Sequence, residues 1–163
     1  MRILLISNPS SRSGKARKMR VFWERSLADA GVDFTCVETS GRGHAFEIAS
    51  SSKGYDVHVA AGGDGTINEV IDGTVQSGNL NISIGVLYSG TSPDFCRFHG
   101  IPIEPARAVR ALLSGKFKMI DIAKITYGSF NSKEQTSHFA CSCNIGIGAA
   151  VADIEAIEIT CIS

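Results

Sequence analysis

The stretch from Ala60 to Val70, Ala-Ala-Gly-Gly-Asp-Gly-Thr-Ile-Asn-Glu-Val, constrains this chain more than any other. An apolar run from Val57 to Ala61 ends in three glycines set around one aspartate, and helical spacing begins directly after them. A strand, a tight glycine turn and a helix N-terminus form a site where backbone N–H groups point outward at an anion. Gly62, Gly63 and Gly65 are expected to supply backbone with φ > 0 and to let a bulky phosphate approach without meeting a Cβ. Asp64 places a carboxylate among those donors. Its repulsion of phosphate is relieved if a divalent cation or a transferable proton lies between them, a pairing that points to phosphoryl transfer more than to simple anion binding. The plainer alternatives are a ligand-free strand-to-helix turn and Asp64 as helix N-cap. Thr66 and Glu69 have the spacing of a capping box.

The flanking sequence repeats this strand–turn–helix pattern. Apolar runs at 2–7, 32–38, 56–61 and 82–87 read as strands, the first buried enough for a parallel sheet. Helices are predicted from just after the polar loop 8–14 to a stop at Gly31, over 44–52, from Thr66 past Val75, over 95–99 and over 104–113. Ala16, Met19, Phe22 or Trp23, Leu27 and Ala30 lie near one face of the first. Four repeats within about 115 residues predict a Rossmann-like α/β domain, its mainly parallel sheet flanked by helices. Ligands in such sheets sit at the carboxyl ends of the strands, where Asn8, Thr39, Asp64 and Thr91 converge. From Lys116 the pattern changes. Strands over 117–127 and 138–146, joined by a polar loop over 128–137, predict the start of a β-rich second region. The expected division is thus 1–115 and 116–163. The ending leaves strands without evident partners and suggests a fragment, or a domain that relies on something beyond this sequence.

Composition narrows the function classes. The 163 residues are 44% apolar and 20% charged with zero formal net charge, so the molecule is not built to embrace nucleic acid. The basic residues Arg2, Arg12, Lys15, Arg17, Lys18, Arg20 and Arg25 nevertheless crowd the N-terminal region against Glu24 alone. They read either as a solvated helix face or as a surface that attracts anions or acidic lipid. Five scattered cysteines argue for reduced thiols and a cytoplasmic setting. Cys141 and Cys143 lack a second pair for a metal site and read as small residues sharing one strand face.

Ala60 to Val70 strongly resembles the nucleotide loop of the diacylglycerol kinase catalytic domain, shared with sphingosine kinases and bacterial lipid kinases. Asn8-Pro9 with its glycine-containing loop resembles that family's first nucleotide motif. Val86 to Arg97 resembles its third, commonly P-x-G-T-x-N-D-F-A-R, and Gly146-Ile147-Gly148 its entry into a β-sandwich domain. Three departures stand out. Gly14 lies two positions later than usual, Ser92-Pro93 replaces Gly-Asn, and no stretch matches the downstream carboxylate or structural magnesium site of the bacterial members. The resemblance implies an ATP- and Mg²⁺-dependent kinase, acting on the hydroxyl of diacylglycerol or a related lipid at a membrane surface, peripheral to its inner face. A homodimer is left open. The implied nucleotide contacts are Asn8, Pro9, Thr39, Gly62, Gly63, Asp64, Gly65, Thr66, Ile67, Asn68, Glu69, Gly90 and Thr91. Asp64 is implied as catalytic and metal-placing residue, and Asp94 and Arg97 as contacts of the lipid head group, unless they form only a local i,i+3 ion pair. An NAD kinase-like phosphotransferase, which shares the Gly-Gly-Asp-Gly-Thr loop, and a nucleotide-binding module without catalysis remain as alternatives.

Overall fold

The computed structural model describes residues 1–10, 15–128, 134–141 and 156–162. Its first half alternates strictly: β1 (Arg2–Ser7), α1 (Lys15–Asp29), β2 (Asp33–Glu38), α2 (His44–Ser51), β3 (Val57–Gly62), α3 (Asp64–Gln76) and β4 (Ser83–Tyr88). Two helices, α4 (Asp94–His99) and α5 (Pro105–Leu113), follow, and then β5 (Ile122–Gly128), β6 (Gln135–Phe139) and β7 (Ala156–Ile162). The first four strands form a parallel sheet in the order β2-β1-β3-β4, and the last three an antiparallel sheet in the order β6-β5-β7.

Successive residues of a strand face opposite sides of the sheet, so a strand covered on both sides must be apolar throughout. Leu4, Ile6, Ala60 and Val86 face α2, α3 and α4, packing with Ile48, Ile67, Val70, Ile71 and Phe95. Ile3, Leu5, Val57, Val59 and Leu87 face the other way, against Trp23 and Leu27 of α1 and Val109 and Leu112 of α5. On α1 it is therefore Trp23, at 1% exposure, that enters the core, while Phe22 is 42% exposed and Ala30 also faces solvent. Fully burying a side chain of this size contributes roughly 1.5–3 kcal/mol. His58 sits in the first core with its Nδ1 2.8 Å from Thr74 Oγ1, and burial lowers its pKa.

The residues of α3 divide by helical spacing into two working flanks. Thr66, Glu69 and Gly73 face β1 and α2. The crossing with α2 is so close at Gly73 that an added Cβ would lie 2.9 Å from Ala49 Cβ and 3.1 Å from the Phe46 carbonyl carbon. Asp64, Asn68, Asp72 and Gln76, four residues apart and hence stacked on one side, face the antiparallel sheet. Gln76 Nε2 donates to Thr136 O at 3.0 Å. Asp72 Oδ1 accepts from His138 N at 2.9 Å and meets His138 Nδ1 at 2.9 Å. Asn68 Oδ1 accepts from the N–H groups of Ala140 and Cys141 at 3.2 and 3.1 Å.

Several local expectations need correction. The capping box does not form, because α3 starts earlier: Gly63 is its N-cap, without a side-chain cap, so Asp64 is already helical and Thr66 lies within the first turn. Glu69 instead caps the neighbouring helix, accepting from Gly43 N at 2.9 Å and Ala45 N at 3.2 Å. The turn glycines are not in the left-handed region either. Gly63 is extended at φ −95°, and the positive-φ glycines are elsewhere, among them Gly31, which ends α1 as expected, and Gly43 before α2. Residues 117–121 are irregular, so β5 begins at Ile122, and β6 spans Gln135–Phe139 rather than starting at His138. The expected strand residues 142–146, the cysteine at 143 and the glycines of 146–148 lie outside the described residues.

Candidate functional site

Asn8, Thr39, Gly63 and Gly90 follow the carboxyl ends of β1, β2, β3 and β4. Because the sheet is parallel, these ends open on one edge, and a pocket of about 310 Å³ forms there. Asn8, Thr39, Gly63, Gly65, Thr66 and Glu69 line it, together with Ser10, Gly41, Arg42 and Ala45.

Each wall has a local cause. The Asn8 side chain closes a turn by accepting from Ser10 N at 3.0 Å, and its Nδ2 donates to Thr66 Oγ1 at 3.1 Å, which ties the loop after β1 to the first turn of α3. Thr39 N donates to Ser7 O at 2.9 Å and continues the β1–β2 ladder into the loop. The glycines work by close approach. A Cβ on Gly62 would run into the Thr66 side chain, one on Gly90 would lie 2.5 Å from Gly63 Cα, and one on Gly65 would meet nothing within 4 Å. Gly62, Gly63 and Gly90 are thus needed for packing, whereas Gly65 leaves open space beside the first turn of α3, where N–H groups and the helix dipole favour an anion. Two helix N-termini, of α2 and α3, border this pocket. The Glu69 carboxylate already occupies that of α2, leaving that of α3 open beside the Arg42 cation.

Asp64 does not line the pocket; its carboxylate faces the first turn of α4. Its Oδ1 is buried without a hydrogen-bond partner. Burial raises the carboxyl pKa, the Asp94 charge raises it further, and the backbone N–H groups of Asp94 and Phe95 pull it back. Cys141 Sγ donates to the Asp64 carbonyl at 3.6 Å. Burial, with the Asp64 charge, pushes the Cys96 thiol to about 11 and the Cys141 thiol to about 12. Among the described residues no group of three or more His, Cys, Asp or Glu gathers as a metal cluster.

The remaining sequence candidates are placed differently. Ile67 is fully buried in the core, Asn68 holds the backbone at 140–141, Gly90 packs behind Gly63, and Pro9 and Thr91 stand outside the pocket. Asp94 and Arg97 form the i,i+3 ion pair at 3.8 Å, with side chains 69% and 68% exposed, a geometry worth little energetically. Of the pocket residues absent from the sequence candidates (Ser10, Gly41, Arg42 and Ala45), Arg42 is the charged one. Its signal was available: it lies three residues past Thr39, in the loop leaving the carboxyl end of β2.

Residues 2–125 match the family model of the diacylglycerol kinase catalytic domain. The chain is 33% identical over 126 residues to a diacylglycerol kinase of Staphylococcus saprophyticus, covering 76% of this chain and 41% of that protein. It is likewise 33% identical over 127 residues to a diacylglycerol kinase of Bacillus subtilis, covering 76% and 42%. A solved diacylglycerol kinase structure from Bacillus anthracis superposes with a TM-score of 0.64 at 28% identity, over 76% of this chain and 43% of that one. The chain spans about two fifths of the length of these curated relatives, 41% and 42%.

Proposed function

Since the chain belongs to the diacylglycerol kinase catalytic domain family, we propose that it carries the nucleotide-binding part of an ATP-dependent lipid kinase, which transfers the γ-phosphoryl group to a hydroxyl of diacylglycerol or a related lipid. The observation that carries this reading is the pocket beside the open first turn of α3, with Gly65 bare toward it and Arg42 in its lining. In the reaction the acceptor oxygen bonds to the γ-phosphorus, the bond from that phosphorus to the ADP oxygen breaks, and the hydroxyl proton must leave. Such chemistry asks a protein mainly for positioning and charge stabilisation. Gly63, Gly65 and Thr66 hold phosphate oxygens through backbone N–H groups and the hydroxyl, Arg42 balances their charge, and Asn8 and Thr39 contact the nucleotide from the neighbouring loops. Glu69 keeps the α2 N-terminus closed, so that phosphate is directed to α3.

Asp64 has two properties that suit a reaction centre. The buried, unpartnered Oδ1 fits a cation, and Mg²⁺ typically takes one or two carboxylates together with phosphate oxygens rather than a full protein cage. When bound, the ion supplies neutralisation of charge on the phosphates. The raised pKa also suits a carboxylate that takes up a proton from a neighbouring hydroxyl. Asp94 and Arg97, exposed beyond Asp64, are left for the lipid head group. No helix among the described residues is long and apolar enough to cross a membrane.

The test is transfer of labelled phosphate from ATP into lipid extracts by the full chain, beside an Asp64→Asn control. Labelled lipid that disappears in the control is expected. ATP binding by calorimetry with no labelled lipid would replace the kinase reading by that of a nucleotide-binding module, and label on NAD alone would replace it by an NAD kinase-like reading.

A further inference from the structure

Among the described residues, Met119 and Phe98 are the most exposed large apolar side chains, at 93% and 86%, and Phe117 is 46% exposed. The two segments that carry them are joined. Lys118 Nζ donates to His99 O at 3.0 Å, bringing the irregular strip 116–120 against the end of α4. Phe98 is fixed from below: its ring meets His99 edge-on at 4.9 Å, and His99 lies 4.5 Å from buried Phe95. Lys116 and Lys118 are exposed on either side of Phe117. The acidic groups nearest in sequence are Asp94, already bonded to Ser92 and paired with Arg97, and Asp121, beyond Met119.

Single exposed apolar residues are ordinary. Phe98, Phe117 and Met119, exposed on two segments joined by a hydrogen bond and with Lys116 and Lys118 alternating with them in sequence, are not, and they mark an interaction surface. We infer that this surface, built from Phe98, Phe117, Met119, Lys116 and Lys118, docks the protein on a bilayer carrying anionic headgroups. The apolar side chains enter the acyl boundary while the lysines stay at headgroup level. The charge selects an anionic bilayer over a neutral one. The surface also has the right place in the fold. Phe98 lies toward the far end of α4, a helix about 9 Å long, whose first turn meets Asp64. A lipid hydroxyl presented at the headgroup level would therefore have little distance to cover. This purpose rests on the kinase reading, whereas the docking itself does not.

The experiment is co-sedimentation of the full chain with phosphatidylcholine vesicles, with and without phosphatidylglycerol. Binding only to the anionic vesicles is expected. Lys116→Glu with Lys118→Glu should weaken it at least ~25-fold, taking about fivefold per lysine lost. Phe98→Asp with Met119→Asp should weaken it more than ~tenfold. Leu80→Asp, equally apolar and 79% exposed in the α3–β4 connection, should leave it unchanged. The lysine pair guards against a misfolded apolar variant. Equal binding to both vesicles, or unchanged binding by both double variants, would overturn the inference. So would a dimer in ultracentrifugation that either double variant dissociates, since the surface would then belong to a second copy. Phosphorylation of a short-chain, water-soluble diacylglycerol should survive both double variants. A chain that phosphorylates no lipid yet needs these residues for vesicles would defeat the kinase reading and leave the docking surface standing.

Discussion

Removing the Glu69 carboxylate tests how the pocket is built. Its two oxygens accept from Gly43 N at 2.9 Å and Ala45 N at 3.2 Å, at the N-terminus of α2. Hydrogen bonds to a charged group contribute about 1.5–3 kcal/mol each in net terms, and the helix-terminal charge adds about 0.3–1 kcal/mol. Water reaches this side of the pocket and can replace part of what is lost. Glu69→Ala should therefore cost about 2–3 kcal/mol, and Glu69→Gln, which retains one acceptor, about 1 kcal/mol. At roughly 2–4 °C per kcal/mol for a chain of this length, the melting temperature should fall by about 5–10 °C for Ala and about 2–4 °C for Gln. Thermal melts followed by circular dichroism give both values. Inorganic phosphate should stabilise Glu69→Ala more than the parent, since two N–H groups then face the pocket unpaired. Equal falls for Ala and Gln, or no phosphate effect on the Ala variant, would refute the capping role and leave Glu69 as mere packing.

Other variants separate folding from binding. Gly90→Ala sets a Cβ against the Gly63 backbone and should cost at least ~2 kcal/mol in urea unfolding; Gly65→Ala, with open space at a helical position, should melt about 1–4 °C above the parent while weakening ATP binding in calorimetry. Asp64→Asn removes a carboxyl whose pKa is raised by burial and by Asp94. Such a group favours the protonated fold, so the parent loses stability as pH rises above the ordinary carboxylate value near 4. The Asn variant should gain melting temperature over the parent from that pH upward, and the two should converge below it. Asp72→Ala releases both His138 contacts and the Gln76 bond, and amide exchange should accelerate by at least ~tenfold in β6 while β1 and β3 keep their protection.

The α/β architecture was legible because continuous apolar runs and 3.6-residue spacing reflect burial on two faces and on one. Strands β1 to β4 and all five helices fall within two residues of expectation, apart from the start of α3. That start was misplaced because Thr66 and Glu69 satisfy a local spacing rule, while their actual partners, Asn8 and the α2 N-terminus, are distant in sequence. Asn68 illustrates the same limit. Its place in the glycine-loop motif suggested a ligand contact, but its oxygen is taken by the N–H groups of residues 140 and 141. The common edge of Asn8, Thr39 and the glycine loop could be read from strand order in a parallel sheet. Arg42 carried the same positional signal, in the loop leaving the carboxyl end of β2, but that it lines the pocket follows from the fold of the β2–α2 connection.

Gly73 has a consequence beyond the packing of two helices. It lies ten residues, and about 15 Å of helix, from Gly63, with no atom in the pocket, yet it sets how near α2 comes to α3. The loop bearing Thr39, Gly41 and Arg42 leads into α2, so the spacing at that crossing acts as a calliper on the mouth of the pocket. A methyl group at position 73 would spread the jaws without altering any surface a ligand touches, and selection among ligands of different girth can thus be adjusted from a site that never meets them.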